Sequence, residues 1–217
     1  MLDGLGRIGN TVLDWLYPPK CCLCGMVDQP PICPDCLDEF EPADDIDRGR
    51  TAELDWSRVL FAYEGRSAQA VRKLKYNRST ALASPMSGLL VKAYTEMSAM
   101  DAVLPVPIHP SRRRHRGFNQ SDLLCQSFAT GLVQRDLLVR IKKTRPQVEL
   151  KAHERLINME GAFLAPKPLA GKSVLLVDDV LTTGGTAIAC AKALKVSGAI
   201  EVGLLAFCSE KLKRPTT

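Results

Sequence analysis

The sequence predicts an α/β fold, a parallel sheet covered by helices, carried behind a small cysteine-rich head. Two near-continuous apolar runs, "KSVLLVDD" at 172–179 and "AIEVGLLAFC" at 199–208, flank the helical stretch "TAIACAKALKVSG" at 186–198. Strands that are apolar on both faces and joined through a helix belong to a parallel sheet buried on both sides. Two Cys-x2-Cys pairs within residues 21–36 mark the head as a separate kind of structure.

Size and composition fit this plan. At 217 residues the chain can bury one substantial core with length left for an appendage. Its 46% hydrophobic and 24% charged content is that of a globular protein, and no apolar run is long enough to span a membrane, so no membrane insertion is expected. The first twenty residues lack the basic start and apolar core of a secretion signal. They read as an amphipathic helix, with Leu5, Ile8, Val12, Leu13 and Leu16 near one face. The net charge of +5 is modest but clustered, in "RRRHR" at 112–116 and "KLKR" at 211–214. Such clusters suit phosphate, nucleic acid or plain solvation.

Five of the eight cysteines crowd into "CCLCGMVDQPPICPDC", which indicates a reduced, metal-binding, cytoplasmic protein. Cys21, Cys24, Cys33 and Cys36 have the spacing of a tetrahedral thiolate zinc site, each pair forming one knuckle. Cys22-x-Cys24 is also available, but the two-residue gap from Cys21 matches that of the second pair. Four thiolates leave no open coordination position, so the Zn2+ is expected to be structural. The sequence therefore divides into a helix and zinc head over 1–40, an acidic linker over 41–53, and a body over 54–217.

Within the body, "SRVLFAYEG" reads as a strand, "SAQAVRKLKY" and "TALASPMSGLLVKAYTEMSA" as helices, and "AVLPVPIHP" as a strand broken at its prolines. "NQSDLLCQSFATGL" reads as a helix capped by Asn119 or Ser121, and "DLLVRI" as a further strand.

The stretch "VLLVDDVLTTGGT" at 174–186 carries the chemistry. A buried strand delivers two adjacent carboxylates, Asp178 and Asp179, to its carboxyl end, which is where open α/β sheets bind ligands. Neighbouring carboxylates repel and are costly to bury without a partner. The turn that follows, Thr182, Thr183, Gly184, Gly185 and Thr186, opens onto a helix N-terminus, whose free N–H groups and dipole favour phosphate. A ligand offering hydroxyls to the acids and a phosphate to the turn satisfies both, and a ribose 5-phosphate does so.

This stretch closely resembles the 5-phosphoribosyl 1-pyrophosphate (PRPP) motif of type I phosphoribosyltransferases. With "PVPIHPSRRRHRGFNQSDLL" at 105–124, "TRPQVELKAHERLINMEGAF" at 144–163 and the four-cysteine head, nearly the whole chain after the first helix resembles the ComF/GntX family of competence-associated proteins. The resemblance implies a type I phosphoribosyltransferase-like domain behind the zinc-binding head. It places Asp178 and Asp179 on the ribose hydroxyls and Thr182 to Thr186 around the 5-phosphate. It assigns the segment from His109 to Arg116 to pyrophosphate, and Arg145, Gln147, Arg155 and Asn158 to a loop that closes over the site. Mg2+ is expected with PRPP. Lys75 matches a recurrent family position. The implied function is handling or uptake of single-stranded DNA during natural transformation, with a competence helicase as partner. Arg112, Arg113 and Arg114 are the candidate DNA contacts, pyrophosphate being the other use for them. The alternative is an active phosphoribosyltransferase that passes ribose 5-phosphate from PRPP to a nucleobase or another acceptor. No acceptor pocket is legible, and no protein nucleophile is required, so His109, His115 and His153 are not needed as bases.

Overall fold

The computed structural model describes residues 18–43, 53–76, 79–142 and 159–210. The expected N-terminal helix, most of the acidic linker, the loop with Arg145, Gln147, Arg155 and Asn158, His153, and the basic tail lie outside the described residues.

Four parallel strands form the central sheet: β1 (Trp56–Ala62), β2 (Ala102–Pro105), β5 (Ser173–Leu181) and β6 (Glu201–Ser209), in the order β1-β6-β5-β2. Side chains alternate across a strand, and β5 uses the alternation to feed two cores. Val174 and Leu176 join one apolar cluster, Leu175 and Val177 the other. This is why the run is apolar without a polar face. Helices α2 (Gly65–Tyr76) and α3 (Ala83–Thr95) cover the second face, through Val71, Leu74, Met86 and Leu90. Helix α6 (Gly185–Val196) covers the first, through Ala187, Cys190, Ala191 and Leu194. Gly203 in β6 sits opposite Trp56, and a Cβ there would overlap the indole ring. The ring is fixed from its other end, since Trp56 Nε1 donates to Glu201 Oε1 at 2.7 Å.

Several elements differ from the sequence-based expectation. The helix expected from Asn119 shrinks to one turn, α5 (Gln120–Leu123), after which the chain runs on in tighter turns, the Cys125, Gln126 and Phe128 N–H groups donating to carbonyls three residues back. Asn119 starts the helix without a side-chain cap, and its amide donates instead to the Val106 carbonyl at 3.0 Å, tying this turn to the end of β2. "DLLVRI" contributes only β3 (Val139–Arg140), which pairs antiparallel with β4 (Phe163–Leu164) in a separate ribbon. The stretch 80–99 begins with a 3-10 turn (Thr80–Leu82) before α3. The strand expected to end on the two acids runs on to Leu181, so the carboxylates stand inside its last turns of pleat.

The head packs directly on the body. Helix α1 (Pro34–Asp38) leads to Phe40, whose ring meets Phe61 edge-on at 5.1 Å and Phe207 at 6.1 Å. Glu41 and Ala43 then pair with Ala62 and Leu60, covering the free edge of β1. Among the described residues no helix is long and apolar enough to cross a membrane.

Candidate metal centre and ligand cleft

The thiols of Cys21, Cys24, Cys33 and Cys36 all lie within 4.8 Å of one another. Cys21 and Cys36 sulfurs are 3.8 Å apart and those of Cys24 and Cys33 3.7 Å. A tetrahedron of thiolates at about 2.3 Å from zinc has edges of about 3.8 Å, so the spacing fits a metal. The backbone builds the site: Gly25, at φ +82°, turns the first knuckle and donates to the Cys21 carbonyl at 2.9 Å. Burial pushes the Cys21 thiol up, but backbone donors from Cys24, Cys33 and Leu23 outweigh it and bring the pKa to about 6. Cys22 stands outside the cluster, and its carbonyl accepts from Lys73 Nζ on α2.

A cleft of about 540 Å³ opens at the carboxyl end of the sheet. Its floor is β5 with Asp178 and Asp179, and its far lip is the turn with Thr182, Gly184 and Thr186. Gly184 adopts φ +79° at the N-cap of α6, and no side chain caps that helix. The first-turn N–H groups are therefore arranged for an anion. Thr183 belongs to the turn, but its hydroxyl is buried without a hydrogen-bond partner. Gly185 is the first residue of the helix.

The two acids differ sharply. Asp179 is 6% exposed, and its Oδ1 pairs with Lys75 Nζ at 2.8 Å. Asp178 opens toward the cleft, and its Oδ1 accepts from Ser121 Oγ and from the Asp179 N–H, both at 2.9 Å. Burial and the adjacent Asp179 charge raise the Asp178 pKa to about 7, against the opposing pull of Lys75. Alternation along the strand explains the split, since successive side chains face opposite helical layers.

The basic cluster is divided by its own helix. Helix α4 (Pro110–Arg116) begins at His109, whose Nδ1 accepts from the Ser111 N–H at 3.2 Å. Arg112, His115 and Arg116 then share one face, at i, i+3 and i+4, and line the cleft. Arg113 and Arg114 are exposed and lie outside the lining. Arg116 also stacks over the Tyr76 ring at 5.4 Å.

Sequence reasoning missed Gln120, Ser121 as a partner of Asp178, and Arg140. Arg140 is 9% exposed, lies 5.4 Å over the Phe163 ring and reaches the cleft from β3. Burial, then the neighbouring Arg112 charge, lower its pKa. A lone cation inside the apolar run "DLLVRI" was the available signal. The cleft thus joins a carboxylate floor, an uncapped helix start and a cationic wall of Lys75, Arg112, Arg116 and Arg140.

A family model, the phosphoribosyl transferase domain, matches residues 124–216. The chain is 33% identical over 164 residues to the DNA utilization protein YhgH of Escherichia coli O6:H1, covering 70% of this chain and 72% of that one. Competence protein F of Haemophilus influenzae is 34% identical over 113 residues, 49% of each chain. Competence protein ComFC of Streptococcus pneumoniae is 28% identical over 145 residues, 67% of this chain and 64% of that one.

Proposed function

From the premise that this chain belongs to the ComF/GntX family of competence and DNA-utilization proteins, we propose that it handles incoming single-stranded DNA in natural transformation and holds PRPP in the cleft. The observation that carries the ligand reading is the pairing of a carboxylate with an uncapped, glycine-turned helix start in one cavity. In this reading the first turn of α6 takes the 5-phosphate and Asp178 accepts from the ribose. Arg112 and Arg116 face the pyrophosphate, and Arg145 and Arg155 close over it. Asp179 is already neutralised by Lys75, so its part is to keep that lysine in place beneath the sugar.

Mg2+ would be held mainly through PRPP and water, drawing charge from the pyrophosphate. Were an acceptor to displace the pyrophosphate, its bond to the anomeric carbon forming as the bond to pyrophosphate breaks, positive charge would build on the ribose and the Asp178 carboxylate would face it. The four thiolates hold Zn2+ as a structural centre. The exposed Arg113 and Arg114 serve DNA, and the protein works in the cytoplasm beside a competence helicase. In this reading residues 1–40 form the head and 54–217 the body, joined through 41–53.

Calorimetric titration of zinc-replete protein with PRPP and Mg2+, beside a variant with Asp178→Ala and Asp179→Ala, tests the ligand. Saturable binding lost in the variant is expected; absence of binding to the unaltered protein overturns it. Single-stranded DNA binding should weaken steeply with salt, and a salt-independent or absent signal overturns the DNA part.

A further inference from the structure

Gln120 has no place in the scheme above, yet it is the most conspicuous polar side chain of the cleft. It is 2% exposed, lines the cavity, and its Nε2 has no hydrogen-bond partner. A buried donor left unsatisfied costs stability, which points to a ligand atom that completes it. Its chain neighbour Ser121 holds Asp178 through Oδ1, and the Asp179 N–H also ends on Oδ1. Oδ2 is thus the oxygen left to accept from a ligand.

We infer that Gln120 and Asp178 form a hydroxyl-reading pair, in which Nε2 donates to, and the carboxylate accepts from, a hydroxyl group of a sugar phosphate. The inference rests on the sugar-phosphate reading of this cleft. The chemistry selects a hydroxyl over a phosphate. A hydroxyl both donates and accepts, so it satisfies an amide and a carboxylate together. A phosphate only accepts, and would be repelled by Asp178. The phosphate belongs at the turn before α6, where no carboxylate lies among the turn residues 182–186. Ser121 is a positioning residue here, since it fixes which Asp178 oxygen remains open.

The test is Gln120→Leu, which keeps the volume and removes the donor, titrated with ribose 5-phosphate and separately with inorganic phosphate. Affinity for ribose 5-phosphate is expected to fall about two- to tenfold, the effect of one hydrogen bond between uncharged groups. Affinity for inorganic phosphate stays unchanged, and the melting temperature of the unliganded protein rises because the orphan donor is gone. If both affinities fall together, Gln120 merely supports the cleft and the inference is overturned. If neither falls, it is overturned while the sugar-phosphate reading stands. If the unaltered protein binds ribose 5-phosphate and PRPP not at all, the underlying reading fails as well.

Discussion

Lys75 Nζ lies 2.8 Å from Asp179 Oδ1, and both side chains are largely withdrawn from water. The lysine comes from the last turn of α2 and the acid from β5, so a helix on one face of the sheet neutralises half of the acidic pair. Burial lowers the Lys75 pKa, but the Asp179 and Asp178 charges outweigh it and raise it overall. The pair of carboxylates therefore presents one open charge to the cleft and one that is already matched.

Removing the lysine should be costly. Lys75→Met leaves Asp179 buried and uncompensated, and breaking one partner of a buried pair costs about 3–5 kcal/mol. The loss should appear in denaturant unfolding and shrink when Asp179→Asn is added, which removes the unpaired carboxylate. An equal loss in the single and double variants would show that packing of the lysine stem, rather than its charge, is responsible.

Asp178 has the opposite signature. Its folded pKa of about 7 stands above the ordinary carboxylate value, so the folded state binds the extra proton between them. Its contribution to stability is therefore full at low pH and is lost as pH rises from about 4 to about 7. Asp178→Asn removes that loss and keeps an oxygen to accept from Ser121. The variant should melt higher than the unaltered protein at pH 8 and within error of it near pH 4, while binding PRPP more weakly.

The cysteine head makes a selective prediction. Cys36→Ser should lose the bound metal, measured as zinc per chain, and lower the melting temperature, because the head's Phe40 packs against Phe61 and Phe207. Cys22→Ser should leave the metal content unchanged, since its thiol stands outside the four-sulfur cluster. A loss of zinc in Cys22→Ser would reassign the ligands.

The basic helix should separate two activities. Arg112→Ala with Arg116→Ala removes cations that line the cleft and should weaken PRPP binding at least tenfold, about 1.5–3 kcal/mol for each charged hydrogen bond lost. Arg113→Ala with Arg114→Ala should leave PRPP binding unchanged and reduce the salt slope of DNA binding by about two, near one per phosphate contact. Calorimetry and salt-titrated anisotropy read the two effects independently.

By itself the sequence determined the elements that local chemistry specifies. The doubled Cys-x2-Cys spacing needs only two short knuckles, and the four sulfurs do gather. The apolar runs at 172–179 and 199–208 had to be buried on both faces, and they are neighbouring parallel strands. The acid pair and glycine turn announced the cleft because strand, turn and helix are contiguous in the chain. The tertiary structure alone decided what depends on distant segments meeting. Lys75 reaches Asp179 across more than a hundred residues, and Ser121 reaches Asp178 across 57. Two adjacent, identical side chains acquire different partners because the pleat turns them in different directions. No local pattern encodes which layer carries the lysine. The same holds for Arg140 and Gln120, whose burial beside the cleft arises only when the β3–β4 ribbon and the short α5 turn pack against the sheet.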